Sequence, residues 1–346
     1  MSAVVIRKPR IAEIEDYDTP ELSPGECLVR VLAAGLGPSD LHVFRGDGEL
    51  RQYPRIPGAD VLGVVETCSG SFAPVRRVLI PPTIPCGSCA ACIAADTDGC
   101  LSPGLLGRDR DGGMRSWMAV RADDAVTAPD DVSDELALCI PDAAFALSLG
   151  AGAGVTADGA GGGVTRRAED AFVVVFGADF LGVLTALSVA EQGYRPILVD
   201  VVEARLELAR GLGIRDTCNP LRDFVGDQVH WITRRRYAEA AVVVSEDPEA
   251  VLTAASVLRP GGRLILTGYH PDSRLPASHI IENSIEVRGV RRSRRLYSDA
   301  AGFVRRHAAA FESLISLRLE LQSIPQALEL VADDPKAYMK VMCSMS

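Results

Sequence analysis

The chain has 346 residues, of which 47% are hydrophobic and 24% are charged, and its formal net charge is −10. This length is large for one hydrophobic core and suits two domains, while the negative charge argues against a nucleic-acid backbone as a partner. No apolar run is long enough to span a bilayer and no basic-then-apolar leader begins the chain, so we expect a cytoplasmic protein that contacts no membrane.

Short apolar stretches with alternating polar positions dominate the first part of the chain. Residues 3–6 and 26–32 have the alternation of half-buried strands, and Pro and Gly residues separate them. A loop at 35–42 and a proline-containing segment at 54–60 follow, and another apolar strand covers 61–65. This pattern predicts an antiparallel, barrel-like domain.

Four of the nine cysteines lie close together in the sequence, at Cys86, Cys89, Cys92 and Cys100. Four thiolates at these spacings can surround one tetrahedral zinc ion without an open position, which is typical of a structural rather than a catalytic site. A disulfide pair or unliganded thiols are the alternatives, but the C-x2-C-x2-C spacing favours the metal. The other cysteines are scattered singly, so no disulfide framework is expected. These scattered residues are Cys27, Cys68, Cys139, Cys218 and Cys343.

The stretch from Val173 to Asp200 has the pattern of a strand, a tight turn, a helix and a second, parallel strand. An apolar run reaches a glycine turn, apolar residues then recur at helical spacing, and a further apolar run ends at Asp200. Such a unit presents helix N-terminal amides to an anion, and the final acidic residue can accept hydrogen bonds from an adenosine ribose. The stretch predicts a dinucleotide half-site, the alternative being an ordinary α/β turn that binds nothing.

The glycine turn departs from the Gly-x-Gly-x-x-Gly pattern, because Asp179 stands between Gly177 and Gly182 where the second glycine belongs. A carboxylate at this position repels the pyrophosphate unless it points away or is neutralised. Asp200 favours NAD over NADP, since a carboxylate would repel the 2′-phosphate of NADP.

Strands and helices alternate after this unit. Residues 241–244 and 264–267 are predicted strands, residues 285–287 are the expected last strand, and residues 250–257 have the spacing of a helix. Alternation at this length is what a doubly wound parallel sheet requires. The Gly-rich stretch at 150–163 fits a crossing between two domains, or a flexible loop.

The order of these features resembles the zinc-containing medium-chain alcohol dehydrogenase family. The resemblance lies in the cysteine lobe, the Gly-x-x-x-Ser-Asp-x-His loop at 35–42, the Pro-x-Ile-x-Gly segment at 54–58 and the central dinucleotide unit. It extends through the sequence RPGGRLILTG at 259–268, and it covers nearly the whole chain.

This resemblance implies an α/β protein built from two domains. A GroES-like, β-rich catalytic domain would comprise residues 1–153 and 289–346, with the zinc lobe at about 84–103, and a Rossmann domain with a doubly wound parallel sheet would comprise 154–288. Members of the family commonly pair through the outer strand of the nucleotide sheet, here near 285–290. A homodimer is therefore expected, with a homotetramer as the alternative.

The family's catalytic zinc is bound by a Cys in the first loop, a His in the Gly-His-Glu segment and a Cys or acidic residue near the domain crossing. The matching positions here are Gly37, Ala59 and Gly152, or Pro141 on a different alignment of the crossing. None of these side chains can bind a metal. The resemblance therefore implies one structural zinc per chain and no catalytic zinc.

The resemblance also assigns catalytic roles. Ser39 matches the hydroxyl beside the reacting oxygen, and His42 matches the imidazole that relays the proton to solvent, although a loop serine and a solvated histidine are the alternative. Asp60 has no evident cation nearby, so we expect it to face the cavity as an acid–base group or to pair with a substrate amine.

Two further residues complete the expected cofactor site. Thr156 matches a residue that contacts the nicotinamide, and Lys340 matches a cation that reaches the pyrophosphate and that would offset Asp179. The expected cofactor-binding residues are Thr156, Gly177, Asp179, Phe180, Leu181, Gly182, Asp200, Arg205 and Lys340.

Loss of the catalytic metal removes roughly several kcal/mol of transition-state stabilisation, so a plain alcohol would be a poor hydride donor. We therefore expect an NAD(P)-dependent oxidoreductase that acts on an activated small molecule, such as a conjugated carbonyl, an iminium or a polyfunctional ketone or alcohol. One alternative is a redox-neutral enzyme that eliminates, isomerises or recycles its own NAD. The other is a non-catalytic binding subunit, which Asp179 and the missing ligands favour.

Overall fold

The computed structural model describes residues 1–47, 52–69, 76–154, 171–268 and 273–345. The chain divides into two compact units, Met1–Pro141 with Ser293–Ser346, and Asp142–Arg292. The domain boundaries expected from the sequence, at 153/154 and 288/289, lie twelve and four residues from these divisions and stay predictions.

Within the described residues, the first unit begins with nine strands and three short helices. These are β1 (Ser2–Lys8), β2 (Ile11–Asp16), β3 (Glu26–Leu36), α1 (Pro38–Arg45), β4 (Asp60–Cys68), β5 (Arg77–Ile80), β6 (Thr83–Ile84), α2 (Ala90–Ile93), β7 (Gly104–Leu105), β8 (Trp117–Arg121), β9 (Val126–Thr127) and α3 (Asp134–Leu138). Helix α4 (Ile140–Ala153) then carries the chain into the second unit.

The second unit alternates strands and helices. These are β10 (Phe172–Phe176), α5 (Phe180–Glu191), β11 (Arg195–Val199), α6 (Glu203–Gly211), β12 (Asp216–Cys218), α7 (Val225–Ile232), β13 (Ala238–Val243), α8 (Pro248–Ser256), β14 (Leu258–Leu266), α9 (Ala277–Glu282) and β15 (Glu286–Gly289). The chain then returns to the first unit through α10 (Tyr297–Arg306), α11 (Ala308–Leu314), β16 (Ile315–Glu320), α12 (Ile324–Asp333) and β17 (Lys340–Ser344).

The first unit is β-rich, as the alternating sequence predicted. Its main sheet, within the described residues, has the strand order β16-β17-β3-β4-β5-β9, and β8 also pairs with β3. Strand β3 pairs antiparallel with β4, β8 and β17, and so lies at the centre of the sheet. Alternate apolar side chains enter one core, which includes Phe44, Val61 and Ile80, all 0% exposed.

The second unit contains the doubly wound parallel sheet that the sequence predicted. In the part of the chain that is described, its order is β12-β11-β10-β13-β14-β15, with every pair parallel. The chain order reverses direction beside β10, whose residues are all buried. In open sheets of this kind, ligands bind outside the carboxyl ends of the strands at such a switch point.

The Gly-rich stretch differs from its prediction at its start, because Gly150 and Gly152 lie inside α4. An added Cβ at Gly150 would lie 2.5 Å from Oγ of Ser188. The absence of a side chain at Gly150 therefore allows α4 to approach α5 closely. The rest of the stretch, 155–170, lies outside the described residues. No helix among those described has both the length and the hydropathy needed to cross a membrane.

Two of the cysteines expected to be single form a disulfide, which corrects that expectation. Cys27 on β3 pairs in register with Cys68 on β4, and their sulfurs are bonded across the two antiparallel strands. No local pattern indicates this pairing, because the two residues are 41 positions apart and become neighbours only when the strands align.

Candidate active site and metal centre

Four cysteine sulfurs meet in the lobe that contains α2. The Sγ atoms of Cys86, Cys89, Cys92 and Cys100 all lie within 4.8 Å of one another, and those of Cys86 and Cys92 are 3.9 Å apart. Sulfurs bound tetrahedrally to one zinc ion at about 2.3 Å would be about 3.8 Å apart, so the arrangement fits this metal. The structure thus brings the complete predicted ligand set together.

The protonation of these cysteines also fits a cation. Backbone N–H groups of Ser88 and Cys89 lower the pKa of Cys86 to about 6, which makes this sulfur a thiolate at neutral pH. Burial, with hydrogen bonds among the crowded sulfurs, raises the pKa of Cys92 to about 12. Zinc binds the deprotonated sulfur, so a bound ion would release the proton of Cys92.

Polar contacts attach this zinc lobe to the chain after β15. Arg295 contacts Asp96 at 2.6 Å and Asp98 at 2.8 Å, and Oγ of Ser293 donates a hydrogen bond to Asp98 at 2.6 Å. No residue of α2 is buried, so the lobe has little core of its own. These contacts therefore help to hold the lobe in position, and a bound zinc ion would add to them.

Asp40 joins two loops where the resemblance expects metal ligands. Its Oδ2 accepts a hydrogen bond from the N–H of Gly37 at 3.0 Å, and its Oδ1 accepts one from the N–H of Gly58 at 2.7 Å. Burial, reinforced by the charge of Asp60, raises the pKa of Asp40 to about 6. An added Cβ at Gly37 would meet only Oδ2 of Asp40, at 4.0 Å. Neither Gly37 nor Ala59 offers a metal ligand.

The predicted proton path lies on α1. Ser39 is the second residue of this helix and is half-buried, and His42 lies in its last turn with its side chain 20% exposed. Nδ1 of His42 lies 2.8 Å from Oδ1 of Asp47. This contact favours a proton on Nδ1 and so orients the imidazole.

Asp60 and Lys340 form a buried ion pair. Nζ of Lys340 lies 2.7 Å from Oδ2 of Asp60, and the two side chains are 6% and 8% exposed. The premise that no cation lies near Asp60 is therefore wrong, because β17 brings Lys340 beside β3. An added Cβ at Gly35 would lie 3.1 Å from Oδ2 and 3.2 Å from Nζ, so this glycine makes room for the pair. The contact of Lys340 with a pyrophosphate stays a prediction, and in this structure Asp60 holds the ammonium.

The glycine turn after β10 has the close packing that a dinucleotide site requires. Gly177 has φ +103°, and an added Cβ there would lie 2.9 Å from the backbone nitrogen of Ser245. At Gly182, in the first turn of α5, an added Cβ would overlap the carbonyl oxygen of Gly177. These two glycines thus place the N-terminus of α5 against the end of β10, where its N–H groups can bind an anion.

Asp179 lies over this helix N-terminus. It is the N-cap residue of α5, and its Oδ1 accepts a hydrogen bond from the N–H of Gly182 at 2.8 Å. Burial raises the pKa of Asp179 to about 6, the positive charge of Arg205 opposes this effect, and Asp200 and Asp142 reinforce it. The carboxylate therefore does not point away from the phosphate position, and Arg205 partly offsets its charge.

Asp200 connects β11 to the glycine turn. Its Oδ2 accepts a hydrogen bond from the N–H of Ala178 at 2.6 Å, and its Oδ1 accepts one from the N–H of Val202 at 2.8 Å. Nη1 of Arg205 lies 3.8 Å from Oδ2. Each carboxylate oxygen can accept a second hydrogen bond, so Asp200 can fix the turn and also bind ribose hydroxyls. The glycine turn, the helix N-terminus and Asp200 fit a dinucleotide, while Asp179 weakens that fit.

The other predicted residues have less specific surroundings. Phe180 is buried in the second unit, which leaves its backbone N–H at the start of α5, and Leu181 beside it is half-buried. An added Cβ at Gly152 would meet only apolar side chains, at 3.5 Å or more, so nothing there offers a metal ligand. Thr156 lies outside the described residues.

Sequence reasoning did not predict the hydrogen bonds of Asp40 or the contact of Asp47 with His42, and it paired Lys340 differently. Asp40 stands three residues after Gly37, and an acidic residue at this spacing from a helix start is a signal that predicts capping. Asp47 stands five residues after His42, just beyond the helix, where local spacing gives no signal. The ion pair of Lys340 links residues 280 positions apart, so only the fold reveals it.

Comparisons with known proteins agree with this architecture. Residues 23–130 match the family model of the alcohol dehydrogenase GroES-like domain, and residues 181–306 match that of the zinc-binding dehydrogenases. An alcohol dehydrogenase of Geobacillus stearothermophilus is 30% identical over 295 residues, which cover 83% of this chain and 83% of that protein. The D-altritol 5-dehydrogenase of Agrobacterium fabrum is 28% identical over 350 residues, which cover 99% and 98%. RspB of Escherichia coli CFT073, solved in complex with NADH, superposes with a TM-score of 0.86 at 23% identity and covers 100% of this chain and 99% of that one.

Proposed function

Because the chain belongs to the zinc-containing medium-chain alcohol dehydrogenase family and is an NAD(P)-dependent dehydrogenase or reductase, we propose that it transfers hydride without a catalytic zinc ion. The observation that carries this proposal is the absence of donor atoms at Gly37, Ala59 and Gly152. The bound nicotinamide would supply or accept the hydride. The residues of this chain would orient the substrate and transfer its proton.

The substrate is an activated small molecule. Without a Lewis acid, roughly several kcal/mol of transition-state stabilisation must come from hydrogen bonds and from the electrophilicity of the substrate itself. A conjugated carbonyl, an iminium or a ketone flanked by hydroxyl groups meets this need. The similarity to a D-altritol 5-dehydrogenase supports the polyfunctional class.

The proton moves along α1. Ser39 donates its hydroxyl proton to the substrate oxygen as the hydride reaches the carbon, and His42 replaces that proton. Asp47, 2.8 Å from Nδ1 of His42, orients the ring and balances the positive charge that forms on it. In the oxidative direction the same residues accept the proton.

The cofactor is NAD rather than NADP. Gly177, Gly182 and the N-terminus of α5 would hold the pyrophosphate, and Asp200 would accept hydrogen bonds from the adenosine ribose. Asp200 would also repel a 2′-phosphate, because its carboxylate is fixed beside the turn by the N–H groups of Ala178 and Val202. Cys86, Cys89, Cys92 and Cys100 would hold one structural zinc per chain.

The working form is a homodimer. Strand β15 is the last strand of the parallel sheet in the described part of the chain, and all four of its residues are exposed. An exposed edge strand presents unpaired backbone N–H and C=O groups, which a second copy can satisfy across a two-fold axis. A tetramer is the alternative.

Metal analysis combined with a hydride-transfer assay tests this function. Protein freed of loosely bound metal is analysed for zinc, titrated with NADH and NADPH by fluorescence, and assayed by NADH absorbance with cinnamaldehyde, hydroxyacetone and ethanal. We expect one zinc per chain, tighter binding of NADH than of NADPH, and NADH oxidation with an activated carbonyl but not with ethanal. Two zinc ions per chain would refute the metal-free site, and retained NAD without net NADH oxidation would favour the redox-neutral alternative.

A further inference from the structure

Asp60 has one carboxylate oxygen that no described residue satisfies. Its Oδ2 contacts Nζ of Lys340 at 2.7 Å, whereas its Oδ1 is buried and accepts no hydrogen bond from the described part of the chain. Buried polar atoms are nearly always hydrogen-bonded, because a buried acceptor without a donor loses its hydration and gains nothing in return. Oδ1 therefore needs a donor that the described residues do not provide.

This oxygen lies beside the positions where the metal ligands are missing. Asp60 directly follows Ala59 and pairs in register with Gly35 on β3. Lys340 begins β17, and the next residue of β17 pairs with Leu36. The ion pair therefore adjoins the small residues that replace a Cys and a His ligand.

The charges around Oδ1 favour a neutral donor. Lys340 already balances the charge of Asp60, and the two oxygens of Asp40 accept backbone N–H groups instead. A ligand ammonium would add a further charge in a buried place, which costs more than the contact returns. A hydroxyl group satisfies Oδ1 without adding charge.

We propose that Asp60 and Lys340 recognise a substrate that carries a hydroxyl group next to the reacting carbonyl. Oδ1 of Asp60 accepts a hydrogen bond from this hydroxyl, and the ammonium of Lys340, which has three N–H donors, donates one to the carbonyl oxygen. The inference rests on the proposed function and narrows its substrate to an α-hydroxy ketone, or to a vicinal diol in the oxidative direction.

The reaction balances with the partners already named. Hydride from the reduced nicotinamide adds to the carbonyl carbon, the electron pair of the C=O π bond moves to oxygen, and this oxygen takes the proton of Ser39. The ketone is reduced to an alcohol and NADH is oxidised to NAD. Lys340 keeps its protons and stabilises the negative charge that develops on oxygen, which is the kind of electrostatic stabilisation that a metal would otherwise supply.

A matched pair of substrates tests the inference on the unaltered protein. Hydroxyacetone and acetone differ only by the hydroxyl group, and kcat/KM is measured for each by NADH oxidation. A site built to hydrogen-bond a hydroxyl discriminates strongly against the analogue that lacks it, so we expect hydroxyacetone to be preferred by about 100-fold or more. A ratio near 1 overturns the inference and indicates that a buried water satisfies Oδ1.

A double variant tests whether Asp60 and Lys340 cause the preference for hydroxyacetone. Asp60→Leu combined with Lys340→Met removes both charges together, because removing one alone would leave the other buried and unpaired. We expect the preference for hydroxyacetone over acetone, taken as the ratio of the two kcat/KM values at saturating NADH, to fall about 30-fold or more; an altered affinity for NADH would affect both substrates alike and leave this ratio unchanged. Lys336→Met, at an exposed lysine near the start of β17, is the control and should keep the full preference. An unchanged preference in the double variant overturns the inference.

The failure of this inference and that of the proposed function give different results. If the wild-type protein binds NADH and reduces cinnamaldehyde but neither ketone, the proposed function stands and the inference is wrong. If it binds NADH and reduces none of the three compounds, both are wrong.

Discussion

Oδ1 of Asp179 accepts a hydrogen bond from the backbone N–H of Gly182 at a distance of 2.8 Å. The carboxylate therefore occupies one of the helix N-terminal donors that would otherwise face a pyrophosphate. Arg205 offsets this charge only in part, since burial still raises the pKa of Asp179 to about 6. Cofactor affinity in this protein is therefore expected to depend on one side chain of the turn.

Asp179→Asn should tighten NADH binding. Asparagine caps a helix about as well as aspartate, so α5 is retained while the negative charge is removed. Two like charges about 4 Å apart repel by about 1 to 4 kcal/mol in surroundings between bulk water and a protein surface, so we expect Kd to fall about tenfold at pH 7.5. Fluorescence titration measures this change. Asp227→Asn, which alters an acidic residue in the first turn of α7, should leave Kd unchanged. An equal Kd in Asp179→Asn and wild type contradicts the prediction.

Binding of NAD should strengthen as the pH falls through about 6. The pKa of Asp179 is raised to about 6, so protonation below this pH removes the charge that repels the phosphates. The same raised pKa means that the contribution of Asp179 to folding stability is greatest when it is protonated and decreases as pH rises from about 4 to about 6. Calorimetric titration with NAD between pH 5.5 and 8 measures how Kd for NAD changes with pH and how many protons are taken up on binding. Asp179→Asn should make Kd for NAD nearly independent of pH in this range. The same pH dependence in this variant as in wild type would show that another group causes it.

Cys92→Ser should abolish zinc binding. The four sulfurs form one ligand set, and α2 has no buried residue to keep the lobe in place without the ion. We expect zinc content to fall from about one ion per chain to nearly none and hydrogen exchange to increase at 84–103. Cys218→Ala, at a buried cysteine of the second unit, should keep the zinc. Full zinc retention in Cys92→Ser would exclude the four-sulfur site.

Reduction of the Cys27–Cys68 disulfide should destabilise the protein. A cross-link between residues 41 positions apart lowers the entropy of the unfolded chain, and its loss is expected to cost about 2 to 4 kcal/mol of unfolding free energy. Urea unfolding with and without dithiothreitol measures the cost. A reductant should weaken wild type but leave the variant Cys27→Ala, Cys68→Ala unchanged. Nine reactive thiols in unreduced, denatured and metal-free wild type would contradict the disulfide.

The second unit was predictable because its elements follow local periodicity. The apolar run before Gly177 became β10, and the residues at helical spacing after it became α5. Parallel strands buried on both faces consist of continuous apolar residues, and this signal needs no long-range information. The start of the Gly-rich stretch was harder to predict, because close packing against Ser188, rather than propensity, keeps Gly150 within a helix.

The candidate site was predictable only in part. The four cysteines and the glycine turn are local patterns, so their spacing in the sequence was sufficient to predict them. The ion pair of Asp60 with Lys340 and the disulfide depend on which strands become neighbours, and the sequence does not encode this in any short window. The orientation of the Asp179 side chain was not predictable, because the sequence of the turn does not show whether this carboxylate caps its own helix or faces solvent.

The two hydrogen bonds accepted by Asp40 bear on how this enzyme would respond to metal scarcity. The carboxylate of Asp40 connects the loops that carry Gly37 and Gly58 through these hydrogen bonds, so the spacing of the two loops does not depend on a bound metal ion. A chelator strong enough to remove zinc from the four cysteines would leave these two hydrogen bonds in place. In a cell deprived of zinc, such a protein would lose rigidity at residues 84–103 before the two loops around Asp40 lost their arrangement.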